Sequence, residues 1–281
     1  MFSSVLAQSL HIPVQEIADP SQKKPARAEA FYKLRQLTGV TPASRLEMRP
    51  TPKMVSSGIR EINELTGGFP CGCITQIYGA ASSGRSGILL AALAASTRRR
   101  EVCVLVDVND ALDPLSAAAA GVEFERLLWV RCGSPGSSSK HKRITLKKES
   151  PLAQALRATD LLLQSGGFGL IAIDLGDVPF RESRRIPLAS WFRFQRAVEH
   201  TPTVLFVLSQ EPLAQTCTAL LLKVAGQTPS AFSSQLSGKS PSHARLLEHL
   251  EIKAEIVRSR VERRPVRSVT ASFAATAVRT G

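Results

Sequence analysis

The residues best suited to chemistry form one short run, Gly79-Ala80-Ala81-Ser82-Ser83-Gly84-Arg85-Ser86. Glycine at each end lets the backbone turn so tightly that successive N–H groups face one anion. A helix opening at Gly84 then adds the partial positive charge of its N-terminus. In a phosphate-binding loop of this layout a Lys follows the second Gly as a compact point charge, and a Ser or Thr holds magnesium. Ser86 fills the second role, and Arg85 stands where the Lys would be. Arginine keeps the charge, but its planar fork is not an isostere of an ammonium. The cofactor this loop could take is ATP with magnesium, held weakly or not at all. The competing reading is an ordinary tight turn between a strand and a helix.

Several elements must position such a loop. An apolar strand over residues 73–78 stops at Gly79, and the helix after the loop continues through Leu93. Residues 102–107 and 168–174 are apolar runs of the buried parallel type, each ending in an acid. The second run ends in Asp174, which puts a carboxylate at the C-terminal edge of the sheet within reach of a magnesium ion. Ser86 and Asp174 are therefore the candidate metal pair, should nucleotide bind. Further strands are expected over 127–131, 203–208 (with Ser209-Gln210 at its end) and 219–224, and helices over 57–65, 151–164 and 191–200, with a turn at 66–70. Residues 250–260 and 266–273 alternate apolar and polar around Arg263-Arg264-Pro265, which predicts an antiparallel hairpin at the sheet edge. The whole predicts an α/β fold: a mostly parallel sheet with helices on both faces and a C-terminal antiparallel hairpin.

Two domains are expected, 1–54 and 55–281. In the first, residues 26–37 place Ala30, Phe31, Leu34 and Leu37 at helical spacing opposite Arg27, Lys33 and Arg35, ahead of a linker holding Pro42, Pro50 and Pro52. Such a helix either folds back on the body or docks on another molecule. The Ser-, Pro- and Gly-rich stretch 227–244 is expected to be disordered.

The 281 residues carry 36 Lys and Arg against 23 Asp and Glu, and this net charge of +13 points to a polyanionic partner, nucleic acid before membrane. The candidate DNA contacts are Arg98, Arg99 and Arg100; Lys140, Lys142, Arg143, Lys147 and Lys148; and Arg258, Arg260, Arg263 and Arg264. The first two groups have plainer readings: helix-end cations favoured by the dipole for the first, a solvated loop for the second. Aromatics at 5% are too few for a broad base-stacking platform. Five scattered cysteines read as reduced buried thiols, and Cys71-Gly72-Cys73 lacks the second pair or nearby His that a metal site needs. With no basic leader and no run long enough to span a bilayer, a soluble cytoplasmic protein without membrane contact is expected.

Taken together, residues 55–275 resemble the RecA recombinase core. The matching pieces are Ser57-Gly58, the run from Gly67 to Gly72, Ile77-Tyr78-Gly79 leading into Ser82-Ser83-Gly84, Asp107, Ala111-Leu112-Asp113-Pro114, Asp174 and Gln210. The resemblance implies a RecA-like phosphate-loop core, adds Asp113 to the cofactor-binding set and makes Gln210 the sensor position. It also exposes departures. Asn109 occupies the position of the glutamate that activates water and cannot take a proton, so no catalytic residue is expected. Ser116 replaces the aromatic that stacks on adenine, and the long DNA-binding loop after the sensor is cut to residues 211–218. Losing these parts together is similar to the ImuA family of RecA-like accessory factors. That resemblance implies SOS-induced translesion synthesis, binding to polymerase subunits and to single-stranded DNA without sequence preference, contact with RecA or with itself, and weak or absent ATPase. The alternatives are an active DNA-dependent ATPase of the recombinase type and a SulA-like cell-division inhibitor.

Overall fold

The structure is a computed structural model that describes residues 51–132, 149–227, 249–261 and 270–276. The chain divides by packing into Met1–Pro50 and Thr51–Gly281. The helix expected over 26–37, the loop from Lys140 to Lys148, the stretch 228–244, and Arg263 and Arg264 all lie outside the described residues.

In chain order the strands are β1 (Met54–Val55), β2 (Phe69–Pro70), β3 (Cys73–Tyr78), β4 (Cys103–Asp107), β5 (Leu127–Arg131), β6 (Leu170–Asp174), β7 (Val204–Ser209), β8 (Thr218–Gln227), β9 (His249–Ser259) and β10 (Thr270–Thr276). The helices are α1 (Arg60–Thr66), α2 (Arg85–Arg98), α3 (Pro114–Ala119), α4 (Pro151–Ser165), α5 (Phe180–Ser183) and α6 (Leu188–Val198). The main sheet runs β10-β9-β8-β3-β7-β6-β4-β5, parallel from β8 through β5 and antiparallel across β8-β9-β10.

Successive residues of a strand point to opposite faces, so an unbroken apolar run feeds two cores at once. Leu105, Ala172 and Phe206 enter one core with Ile88, Leu89 and Leu93 of α2. Val104, Ile171 and Leu205 enter the other with Ala155 of α4 and Trp191 and Phe194 of α6. Helices thus cover both faces, as the buried parallel pattern requires. Local caps agree with the sequence: Ser150 accepts from the Ala153 N–H ahead of Pro151 at the start of α4, and Gly67 closes α1 in the left-handed region at φ 76°.

The differences from the sequence reading fall where pairing rather than pattern decides. The sequence predicts only a turn over 66–70, but Phe69–Pro70 pairs antiparallel with Met54–Val55. So short a ladder leaves no periodicity to read. β8 runs on to Gln227, beyond the apolar segment, because Ala225, Gly226 and Gln227 are held by β9 in register with Lys253, Ile252 and Glu251. α6 starts at Leu188, earlier than the expected 191, after Pro187 in an extended conformation, and the short helix α5 carries no sequence signal.

Phe206 is fully buried and meets Phe69 edge-on at 5.3 Å between ring centroids. Phe206→Ala is expected to lower stability by about 3–5 kcal/mol, the usual cost of truncating a buried ring. Denaturant unfolding monitored by circular dichroism checks this.

Candidate functional site

Parallel pairing brings the strand ends together. Tyr78 is level with Ser209, Asp107 with Asp174, and Asp174 with Leu208, so Gly79, Asp107, Asp174 and Gln210 all lie along the C-terminal edge of the sheet. Both loop glycines are required by space. A Cβ on Gly79 would lie 2.2 Å from the Val224 carbonyl oxygen, and one on Gly84 would lie 2.2 Å from Ile252 Cδ1. Gly84 also has φ 88°, a conformation costly for any residue bearing a Cβ. Between them Ala80, Ala81 and Ser82 are exposed, and Ser82 is itself left-handed at φ 59°.

α2 starts at Arg85 without a side-chain cap, so its first amides are left to be satisfied from outside. Ser83 is 3% exposed and its Oγ has no hydrogen-bond partner among the described residues. Ser86 and Gly87 are exposed on the first turn. In its backbone the loop fits an anion: tight glycine corners, uncapped helix amides and an orphaned hydroxyl.

The charged side chain is disposed differently. Arg85 is 7% exposed, and its Nη1 and Nη2 both donate to the Gly176 carbonyl at 3.3 Å. Burial draws its pKa down, with Asp174 and Asp177 acting in the opposite sense. The same carbonyl accepts from Gln210 Nε2 at 3.0 Å. One peptide oxygen just past β6 therefore joins Arg85 of the loop to Gln210.

The acids divide into spent and unspent. Asp107 accepts from the N–H groups of Ala111 and Leu112 at 3.0 Å each and from Trp129 Nε1 at 3.1 Å, so it orders the turn after β4. Asp113 caps α3, accepting from the N–H groups of Leu115 and Ser116 and from the Ser116 hydroxyl. Asn109 donates to the Asp177 carbonyl at 3.1 Å, an amide fixing a loop. Asp174 accepts the Gly176 N–H at 2.8 Å. Burial pushes its carboxyl up to about 6, reinforced by Asp107 and Asp177 and opposed by the Gly176 N–H and Arg85. Ser86 is exposed on the first turn of α2, and Asp174 stands at the end of β6. A closed, all-protein metal site does not gather around them: no group of three or more His, Cys, Asp or Glu able to hold a metal occurs among the described residues.

Of the basic residues singled out in the sequence, Arg99 is committed to Glu101 through two hydrogen bonds and also reaches Ser96 Oγ and the Ser56 carbonyl. Arg98 and Arg100 are exposed. Arg258 donates to the Gln215 carbonyl at 2.5 Å and Arg260 to the Thr216 carbonyl at 2.7 Å. They hold the short segment that follows Gln210. Gln76, fully buried in β3, does the same from below: its Nε2 donates to Ser209 Oγ and the Glu211 carbonyl, and its Oε1 accepts from the N–H groups of Leu213 and Ala214.

The site lies at the C-terminal edge of a mostly parallel sheet covered by helices on both faces, with a glycine-cornered loop ahead of α2. The core is RecA-like. Residues 48–178 match the RecA N-terminal domain. Among curated proteins the chain is similar to Protein RecA of Ectopseudomonas oleovorans, 36% identical over 108 residues, covering 38% of this chain and 26% of the relative. It is also similar to Protein RecA of Corynebacterium jeikeium, 34% identical over 130 residues, covering 46% of this chain and 30% of the relative. The chain thus spans under a third of the length of these relatives. No helix among the described residues is long and apolar enough to cross a membrane.

Two features of this RecA-like core escape the sequence reading. Gln76 sits inside an apolar strand, and only its parallel neighbours reveal that it organises the segment after β7. The second is a surface: Arg181, Arg184, Arg185 and Arg196 are exposed around Phe180 and Phe192, with the Arg184 guanidinium 5.3 Å from the Phe180 ring centroid. The interleaving of Arg and Phe over 180–196 is the signal that could have found it.

Gln76→Leu removes all of these bonds and strands the Leu213 and Ala214 amides, so it is expected to cost about 2–4 kcal/mol and to speed hydrogen exchange over 211–217. For Asp174, a native pKa above the unfolded value near 4 means the folded chain binds the proton more tightly. Its contribution is favourable below about pH 4 and is lost as pH rises through about 6. Asp174→Asn is expected to be more stable than wild type at pH 8, with the difference vanishing at pH 4, as read from unfolding midpoints across that range.

Proposed function

We propose that this chain is a RecA-like DNA repair accessory factor that has given up ATP turnover and supports SOS-induced translesion synthesis by binding polymerase subunits and single-stranded DNA in the cytoplasm. The observation that carries this reading is the commitment of Arg85 and Asn109 to the protein's own backbone. Phosphoryl transfer to water needs charge neutralisation on the terminal phosphates and an oriented nucleophile, each worth several powers of ten in rate. Arg85 is seated on Gly176, and an amide at 109 cannot accept a proton. Were ATP with magnesium bound, the amides of residues 79–86, the Ser86 hydroxyl and Asp174 would hold it, with Asp113 placed only at the α3 cap; ATP would supply the phosphoryl group.

DNA contact is assigned to the exposed arginines. Arg98 and Arg100, together with Arg181, Arg185 and Arg196, offer guanidinium groups to phosphates, and Phe180 and Phe192 offer rings to bases. Lys140, Lys142, Arg143, Lys147, Lys148, Arg263 and Arg264 remain candidates on sequence grounds. The segment after Gln210 is excluded from this role, because Gln76, Arg258 and Arg260 hold it against the body. The domain arrangement, 1–54 as a docking arm and 55–281 as the core, belongs to the same reading, with the 26–37 helix meeting a polymerase subunit, RecA or a second copy.

A second reading, an active recombinase-type ATPase, draws support from the intact loop backbone, Ser86 and Asp174. Turnover separates the two. Wild-type chain is expected to hydrolyse ATP no faster than background with or without single-stranded DNA, and Arg85→Lys with Asn109→Glu is expected to raise turnover more than either change alone. Recombinase-like turnover abolished by Asp174→Ala would sink the accessory reading. Binding to single strands should weaken steeply with salt. Replacing Arg181, Arg185 and Arg196 by Ala should flatten the dependence of log K on log salt by up to about 0.7 for each phosphate that is no longer neutralised.

A further inference from the structure

The loop carries a cation that faces inward. Arg85 follows the second loop glycine, yet its guanidinium is buried and both terminal nitrogens rest on the Gly176 carbonyl at 3.3 Å. A buried guanidinium must find acceptors for hydrogens it can no longer give to water. Gly176 supplies one, and the carboxylate of Asp174 lies beside it, tied to the Gly176 N–H at 2.8 Å. Gln210 donates to the same carbonyl at 3.0 Å, so the oxygen is bound from two sides. The loop backbone, by contrast, is exposed at Ala80, Ala81, Ser82 and Ser86 and has an uncapped helix start. The part of the loop that would bind an anion is open, while the side chain that would neutralise it is engaged elsewhere.

We propose that Arg85 is an internal latch: seated on the Gly176 carbonyl, its guanidinium holds the 79–86 loop in a ligand-free form, and a phosphate-bearing ligand gains the loop's cation only by drawing that guanidinium away. The proposal rests on the reading of this loop as a phosphate site. A protein whose competent state is only fractionally populated binds with an affinity reduced by that fraction. Hydrogen bonds from a charged donor are strong enough to set the fraction at about one in ten or below.

Gly176 gives a way to open the latch without touching the loop. A Cβ there would lie 2.9 Å from Asp174 Oδ1 and 3.4 Å from Arg85 Nη1, the second an ordinary contact, so alanine would leave the guanidinium in place, whereas Gly176→Val adds γ-methyls beyond that contact and crowds the guanidinium off the carbonyl while the sequence of residues 79–86 is unaltered. Arg85→Lys removes the fork that reaches the carbonyl with two nitrogens. The full-length wild type and both variants are titrated with a fluorescent ATP analogue plus magnesium, and with inorganic triphosphate, after circular dichroism shows that each is folded. Both variants are expected to bind about tenfold more tightly than wild type. A gain in Arg85→Lys but not in folded Gly176→Val overturns the latch, because a better phosphate ligand would explain it without any release. No gain in either also overturns it.

A measurement on the wild type stands independently of both variants. The Arg85 side-chain NMR signal, assigned by its loss in Arg85→Lys, is expected to move when the ATP analogue with magnesium is raised to saturation. An unmoved signal at saturation overturns the proposal. Fast ATP turnover by the wild type would instead sink the accessory reading and leave the latch to be decided by the affinities.

Discussion

The structure depends on how one buried guanidinium is satisfied. Arg85 lies between the sheet edge and the start of α2, where water cannot solvate it, and the Gly176 carbonyl is the acceptor it finds. That single oxygen fixes the start of α2 to the turn after β6, and through Gln210 it fixes both to the end of β7. A lysine in the same place has one nitrogen on a flexible stem and could not span two donors to one carbonyl. The substitution that first reads as a weakened phosphate ligand is, in the fold, a structural tie.

A second set of ties continues from it. Gln76 lies in the centre of the sheet, where an unpaired amide would be costly, and all its bonding is directed at the end of β7 and the segment after Gln210. Arg258 and Arg260 close the same segment from the β9 side. β9 also reaches the 79–86 loop, because Ile252 fills the space that a Cβ at Gly84 would take. The antiparallel extension is therefore part of the site's support as well as an edge of the sheet.

These contacts change how the net charge of +13 is to be understood. Arg99 and Arg131 are paired with the carboxylates of Glu101 and Asp110, and their charges are locally cancelled. Arg258 and Arg260 donate to carbonyls, which orients them against the segment after Gln210. Exposed arginines over 181–196 add a basic surface that the runs standing out in the sequence do not include.

The sequence by itself determined the class of the fold and the position of its glycine-cornered loop. Unbroken apolar runs ending in Asp107 and Asp174 read as strands buried on both faces, and glycines at 79 and 84 mark a tight backbone turn. Local physics writes these features into neighbouring residues. What only the tertiary structure decided is where the polar side chains are spent. Asp107 and Asn109 look like site residues until their partners at Ala111, Leu112, Trp129 and Asp177 are in view. Gln76 looks like a misplaced polar residue, and Arg85 like a point charge for phosphate. Gln76, Asn109 and Arg85 each bind a group far away in the chain, 133 residues for Gln76, 68 for Asn109 and 91 for Arg85, and hydrogen bonds across such separations leave no periodicity for a sequence to show.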